Sequence, residues 1–177
     1  MGTVTRAMRG AVAGLIATAA MDALWYRRYR RGGGDAPPTE WEFSSGATDF
    51  GDDAPAPARV GKYVADAVGV ELPASSVAVT NNLVHWATGI GWGKVGGVAA
   101  GVLPVPAMGV GVVTGVTAWA TSYAVLPLIG VYQPITNYDR ETLWKDLSAH
   151  LVFGATLGLA LTVLDAPMSL RRQRRNR

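Results

Sequence analysis

Residues 77–103 read VAVTNNLVHWATGIGWGKVGGVAAGVL. Lys94 is the one Lys, Arg, Asp or Glu in this stretch, which exceeds the roughly 20 apolar residues needed to cross a bilayer core. Gly89, Gly93, Gly97 and Gly101 recur at every fourth position, so they share one helical face. A stripe of this kind lets a second backbone approach closely, which matters in lipid, where packing rather than water exclusion holds helices together. Asn81, Asn82, His85 and Lys94 keep the segment from facing hydrocarbon on all sides. Both features predict a membrane helix packed through glycine against a neighbour.

Working outward, Leu103-Pro104-Val105-Pro106 reads as a tight turn, followed by a third apolar segment. The sequence predicts an all-α polytopic membrane protein with about four transmembrane helices, near 7–26, 77–103, 107–129 and 143–164. They form a Gly-rich bundle in a single membrane domain over 1–177, with one long loop and a short amphipathic helix in 27–76. The first segment is read as retained, because Asp22 and Leu24-Trp25-Tyr26 occupy the place of a small-residue cleavage site. Four-residue glycine spacing recurs at Gly10 and Gly14, Gly111 and Gly115, and Gly154 and Gly158. The stripe on the second helix serves either internal packing or a contact to a second copy or a larger membrane complex.

Composition narrows the function classes. Charged residues are 16% of the 177, where a soluble domain would carry about 25%. Cysteine is absent, which removes disulfides, thiolate metal sites and cysteine nucleophiles. The net charge of +3 comes from Arg clusters beside apolar segments, a pattern suited to anionic lipid headgroups and not to nucleic acid. No phosphate-binding loop, serine-hydrolase elbow or zinc-protease motif occurs. Gly89-Ile90-Gly91-Trp92-Gly93 begins like a dinucleotide fingerprint but lies inside an apolar helix. The expectation is a protein that is not an enzyme and takes no cofactor.

The 171–177 tail carries five Arg, and Arg6 and Arg9 precede the first helix. By the positive-inside rule this predicts cytoplasmic termini, with the protein in a bacterial inner membrane. The Arg27–Arg31 cluster pulls the other way. Trp25, Trp86 and Trp144 suit one interfacial belt, and Trp41 in the loop suits the headgroup layer.

Ionisable groups within membrane segments are costly and mark partners or water. Counting turns from the helix starts places Asp22, His85, Asp146 and His150 at similar depth, as one polar layer, with Lys94 deeper and alone, snorkelling or paired with a carboxylate. The layer has three readings: structural hydrogen bonding, a proton-sensing or relay site, or a metal site. The last is weakly supported, because no His pair has local ligand spacing.

Leu126-Pro127-Leu128-Ile129-Gly130-Val131-Tyr132-Gln133-Pro134 resembles the "FPLMG…PP" stretch of the YagU-like family of small bacterial inner-membrane proteins. The run from Leu143 to Gly154, with Asp146 and His150, resembles that family's "E-x-x-GHLVFW" helix start, and Gly14-Leu15-Ile16-Ala17 its "GLIAG". The His85 segment is similar to the second-helix pattern of that family. The family's loop Cys pair is missing, and Asp22 has no counterpart. The resemblance implies an extracytoplasmic first loop, family positions at His150 and His85, and a link to acid tolerance without an established activity. The expected role is an accessory or stress protein of the membrane; the alternative is a small proton or solute channel or transporter.

Overall fold

The helices begin and end where the local chemistry allows. In the computed structural model, which describes residues 2–44 and 46–175 (166–175 by backbone alone), the first apolar segment becomes α1 (Thr3–Arg31). It outruns the expected 7–26 because nothing in either flank breaks a helix, and Arg28, Arg30 and Arg31 complement the dipole of its last turn. Gly32 ends it, and Gly33 at φ 93° turns the chain. Residues 32–76 hold two α-helices and a 3-10 turn over Ala74–Ser76. α2 (Pro38–Phe43) begins on proline, and α3 (Ala56–Ala67) has Pro57 in its first turn. The sequence reading anticipated only the second.

α4 (Val77–Val102) stops where Leu103, ahead of Pro104, is extended. α5 (Ala107–Val125) continues as a 3-10 turn over Leu126–Ile129 and is ended by Gly130 at φ 71°. α6 (Arg140–Arg175) starts on Asp139, whose carboxylate accepts the Thr142 backbone N–H at 2.8 Å and the Thr142 hydroxyl at 2.8 Å. Those bonds hold the Asp139 carboxyl below the ordinary aspartate range. The α6 backbone is helical through Arg175, where an unstructured tail was expected from residue 171. The expected headgroup contacts of that tail lie outside the described residues.

By length and composition, three helices are long and apolar enough to cross a membrane: Thr3–Arg31, Ala107–Ile129 and Arg140–Asp165. Four were expected. α4 has the length, 26 residues, but Asn81, Asn82, His85, Lys94 and its glycines dilute its apolar character.

α1 lies between α4 and α6, and α6 lies between α1 and α5. The stripe on α4 faces α1. A methyl group placed on Gly97 would sit 2.6 Å from the Gly10 Cα, and one on Gly93 would sit 2.6 Å from the Gly14 Cα. Gly89 meets Thr18, and Gly101 meets the Arg6 side chain, so the two helices are antiparallel. α5 and α6 pair in the same way, with a methyl on Gly154 falling 2.6 Å from the Gly111 carbonyl oxygen. The two pairs join along a buried seam of Ala13, Ala17 and Met21 on α1 with Ala149, Phe153, Leu157 and Leu161 on α6. An Arg9–Asp165 ion pair of 2.6 Å brings the start of α1 to the far end of the α6 span. The terminal end of the bundle thus lies opposite the end that carries residues 32–76.

Candidate functional site

The helix registers build the site. Each step of four along α1 meets a step of four back along α4: Gly10 with Gly97, Gly14 with Gly93, Thr18 with Gly89. The next step brings Asp22 to His85, with 2.8 Å between Asp22 Oδ1 and His85 Nε2. Their side chains are 13% and 28% exposed, so the contact is largely shielded. On the other pair, Gly111 meets Gly158 and Gly115 meets Gly154. Two further steps bring Tyr123 to face Asp146. His150 Nδ1 lies 3.0 Å from the Asp146 backbone oxygen and 3.4 Å from Oδ1 of the same residue.

The expected single layer is therefore two His–carboxylate pairs, one between α1 and α4 and one within α6. Among the described residues, no three His, Cys, Asp or Glu side chains lie close enough to hold a metal ion together. His85 and His150 still share one space, a cavity of about 70 Å³ lined also by Thr18, Thr88 and Ser122. That volume admits about two waters, and its hydroxyls and imidazoles supply partners for them. Lys94 does not join the site. It is exposed on α4, facing away from α1, with no hydrogen bond or ion pair among the described residues.

Above His85 the bundle opens into a larger cavity of about 610 Å³ at the loop end, where Asp22, Asn81, His85, Trp41, Glu42 and Arg28 contribute to its wall. Asp22 Oδ2 and Asn81 Oδ1 are buried there without a hydrogen-bond partner among the described residues; elsewhere in the bundle, so are Asp146 Oδ2 and Trp119 Nε1. Unpaired buried acceptors are costly, which marks Asp22 and Asn81 as the strained part of this wall.

The loop covers the cavity from one side. The Asn82 amide donates to the Glu42 backbone oxygen at 2.9 Å, and the Trp86 indole donates to Glu42 Oε1 at 3.0 Å. Trp41 packs on Tyr26 and Tyr29, with ring centroids 5.4 and 6.2 Å away, so it lies against the bundle. Arg28 stacks 4.8 Å over Trp25 and donates to the Lys145 carbonyl at 2.7 Å and the Ser148 hydroxyl at 2.6 Å. Tyr132 also lines the cavity; burial, and then the Asp146 carboxylate, push its hydroxyl above the ordinary tyrosine pKa, so it remains a donor at every physiological pH.

Sequence reasoning missed Glu42, Trp41, Tyr123 and Tyr132. For Glu42 and Trp41 the sole signal was a Pro-Pro start followed by an aromatic and an acid, ordinary in an exposed loop. The arrangement supplies acceptors, titratable imidazoles and a water-sized space, which suits holding protons or a donor-bearing ligand. Compared with known proteins, the chain matches no family model, no curated protein and no solved structure.

Proposed function

We propose that the chain is a four-span integral protein of a bacterial inner membrane that responds to protons on its loop side, acting as an accessory or acid-stress protein and not as an enzyme. The Asp22–His85 contact of 2.8 Å at the floor of an open polar cavity carries this reading. Imidazole is the side chain whose charge ordinarily changes between about pH 5 and 8. Protonating His85 converts a hydrogen bond into an ion pair; protonating Asp22 removes the anion. Either change alters how firmly α1 and α4 are joined at the loop end.

Four crossings are supported by topology. The Arg9–Asp165 pair sets the start of α1 beside the end of the α6 span, and the antiparallel α4 is the element that returns the chain after α1. Cytoplasmic termini and an extracytoplasmic loop follow from the Arg-rich ends. The resemblance to the YagU-like family agrees with this placement and with the acid-tolerance role. A second reading, a proton or small-solute pathway, is favoured by the cavity that His85 and His150 share. Weighing against it, α1 with α4 and α5 with α6 are in backbone contact towards the terminal end.

The chain has two His, so isotope-labelled histidine in lipid nanodiscs gives two assignable ring signals. The His85 signal, assigned by its loss in His85→Gln, is expected to move between about pH 5 and 8 and to shift its midpoint in Asp22→Asn. Cells carrying His85→Gln at normal membrane abundance should lose acid tolerance. A His85 signal flat across that range would sink the proposal, whereas proton flux into liposomes would favour the pathway reading.

A further inference from the structure

The pH response gives no part to α3, whose sequence APARVGKYVADA sorts into three edges. Ala58 and Gly61 face the start of α4. Ala58 is buried with Val77, and a methyl on Gly61 would run into Thr80 and come within 3.1 Å of Val84. Arg59, Lys62 and Asp66 line a hollow with Ile129, Gly130 and Val131 at the end of α5. There Arg59 donates to the Gly130 carbonyl at 2.7 Å and the Val131 carbonyl at 3.0 Å, and Lys62 pairs with Asp66 at 2.6 Å. The third edge, Val64, Ala67 and Val68, is exposed, Val68 at 70%. Its end is fixed in place. Gly69 at φ 73° turns the chain, and the Gly69 and Val70 N–H groups donate to the Asp66 and Ala65 carbonyls at 3.0 and 2.8 Å.

We infer that this third edge of α3 docks into the bilayer interface on the loop side, with Val64, Ala67 and Val68 among the upper acyl carbons. Depth supports this. α4 has 26 residues, a rise of roughly 39 Å against a hydrocarbon core of roughly 30 Å, so its first turns stand at the boundary. α3 packs on those turns, and its charged edge meets the last residues of the Ala107–Ile129 span, at the same boundary. The apolar surface also continues. Leu83 and Ala87, both exposed, lie three residues on from Thr80 and Val84, so they adjoin the face of α4 that α3 touches. Both cations of α3 are already paired, so the contact is apolar and does not depend on anionic headgroups. The inference rests on the four-span reading of α4 and makes no use of His85.

The test uses the full chain, free of native cysteine, in phosphatidylcholine nanodiscs. One nitroxide label per sample is attached through Val64→Cys, Val68→Cys, Asp66→Cys or Leu83→Cys, all at exposed positions, and far-UV circular dichroism checks each variant for native helix. Collisions with oxygen, which concentrates in lipid, and with a water-soluble nickel chelate then locate the label. Labels at Val64 and Val68 should meet oxygen several-fold more often than nickel, and the label at Asp66 should favour nickel. The label at Leu83 reports on α4 itself. Nickel contact at Val64 and Val68, with Leu83 in lipid, overturns the inference and leaves the spanning of α4 intact. Nickel contact at Leu83 as well overturns both. Labels at Val64 and Val68 shielded from both reagents overturn the inference too, and spin–spin broadening relieved by unlabelled chain would then identify a second copy as the occupant.

Discussion

Consider replacing Gly93 with alanine. The new methyl carbon would lie 2.6 Å from the Gly14 Cα, where carbon atoms prefer about 3.5–4.0 Å. The obstacle is backbone on both sides, so no rotamer relieves it, and α1 and α4 must separate by roughly 1 Å. A gap of that size forfeits a quarter to a half of each neighbouring dispersion contact, and overpacking of this kind costs about 1–3 kcal/mol. Alanine's better helix propensity returns up to about 1 kcal/mol, which leaves a net loss of up to about 2 kcal/mol. Gly91, on the same helix two residues earlier, has nothing within 4 Å of an added methyl. Gly91→Ala is therefore the control, expected to be neutral or stabilising by up to about 1 kcal/mol. Gly101→Ala should fall between them, because the atoms in its way belong to the flexible Arg6 side chain. Unfolding in dodecylmaltoside–SDS mixtures, followed by far-UV circular dichroism, gives the ranking. If Gly93→Ala matches Gly91→Ala, the stripe does not carry the α1–α4 contact and the register that joins Asp22 to His85 falls with it.

Further outcomes can be stated briefly. Thr3→Cys and Thr48→Cys, both at exposed positions in a chain free of cysteine, should react with an impermeant thiol reagent from opposite sides of the membrane; labelling from one side would break the four-span topology. Lys94→Leu should keep or raise stability and leave the oligomeric state unchanged, since Lys94 makes no bond within the described chain and a lysine deep in a membrane helix costs up to about 3 kcal/mol. A loss of stability, or a smaller assembly, would reveal a partner carboxylate on another chain. At the start of α6, the lowered Asp139 pKa means that its contribution is present above the ordinary aspartate range and lost as pH falls below that range. The Thr142 amide signal should follow this transition, and Asp139→Ala should abolish it and fray the first turn at neutral pH; an amide shift insensitive to acid would refute the cap.

Much of the helical pattern was legible because it is local. Apolar length and breakers such as Pro104, Pro106 and Gly32 are written in consecutive residues. Depth was legible too, because rise per residue is fixed, and it put Asp22 level with His85. Rotation was read within single helices, where four-residue spacing puts Asp146 and His150 on one face, but not between helices. It decided that Asp22 faces α4. The signal was present all the same: extending the α4 stripe one step back lands on His85, and extending Gly10 and Gly14 two steps forward lands on Asp22. Lys94, one residue past Gly93, falls outside the stripe by the same rule and points away from α1. The docking of Trp41 and Glu42 had no such periodic trace, because a six-residue helix in a proline-rich loop gains its position from tertiary contacts with Tyr26, Tyr29, Asn82 and Trp86.

The pairing of α1 with α4 also bears on biogenesis. α5 and α6 are consecutive, so they can close as a hairpin when they leave the ribosome. α1 must instead wait through residues 32–76 for a companion that, alone of the four long helices, lacks an apolar run sufficient to cross a membrane. Helix α4 carries two asparagines, a histidine and a glycine face that hydrocarbon does not reward. On the four-span proposal its insertion is a templated event: α1 offers Gly10, Gly14 and Asp22 as the surface against which the polar newcomer packs. On the same proposal, a chain shortened before α4 would strand Asp22 at the end of α1 without His85, its partner in the finished bundle.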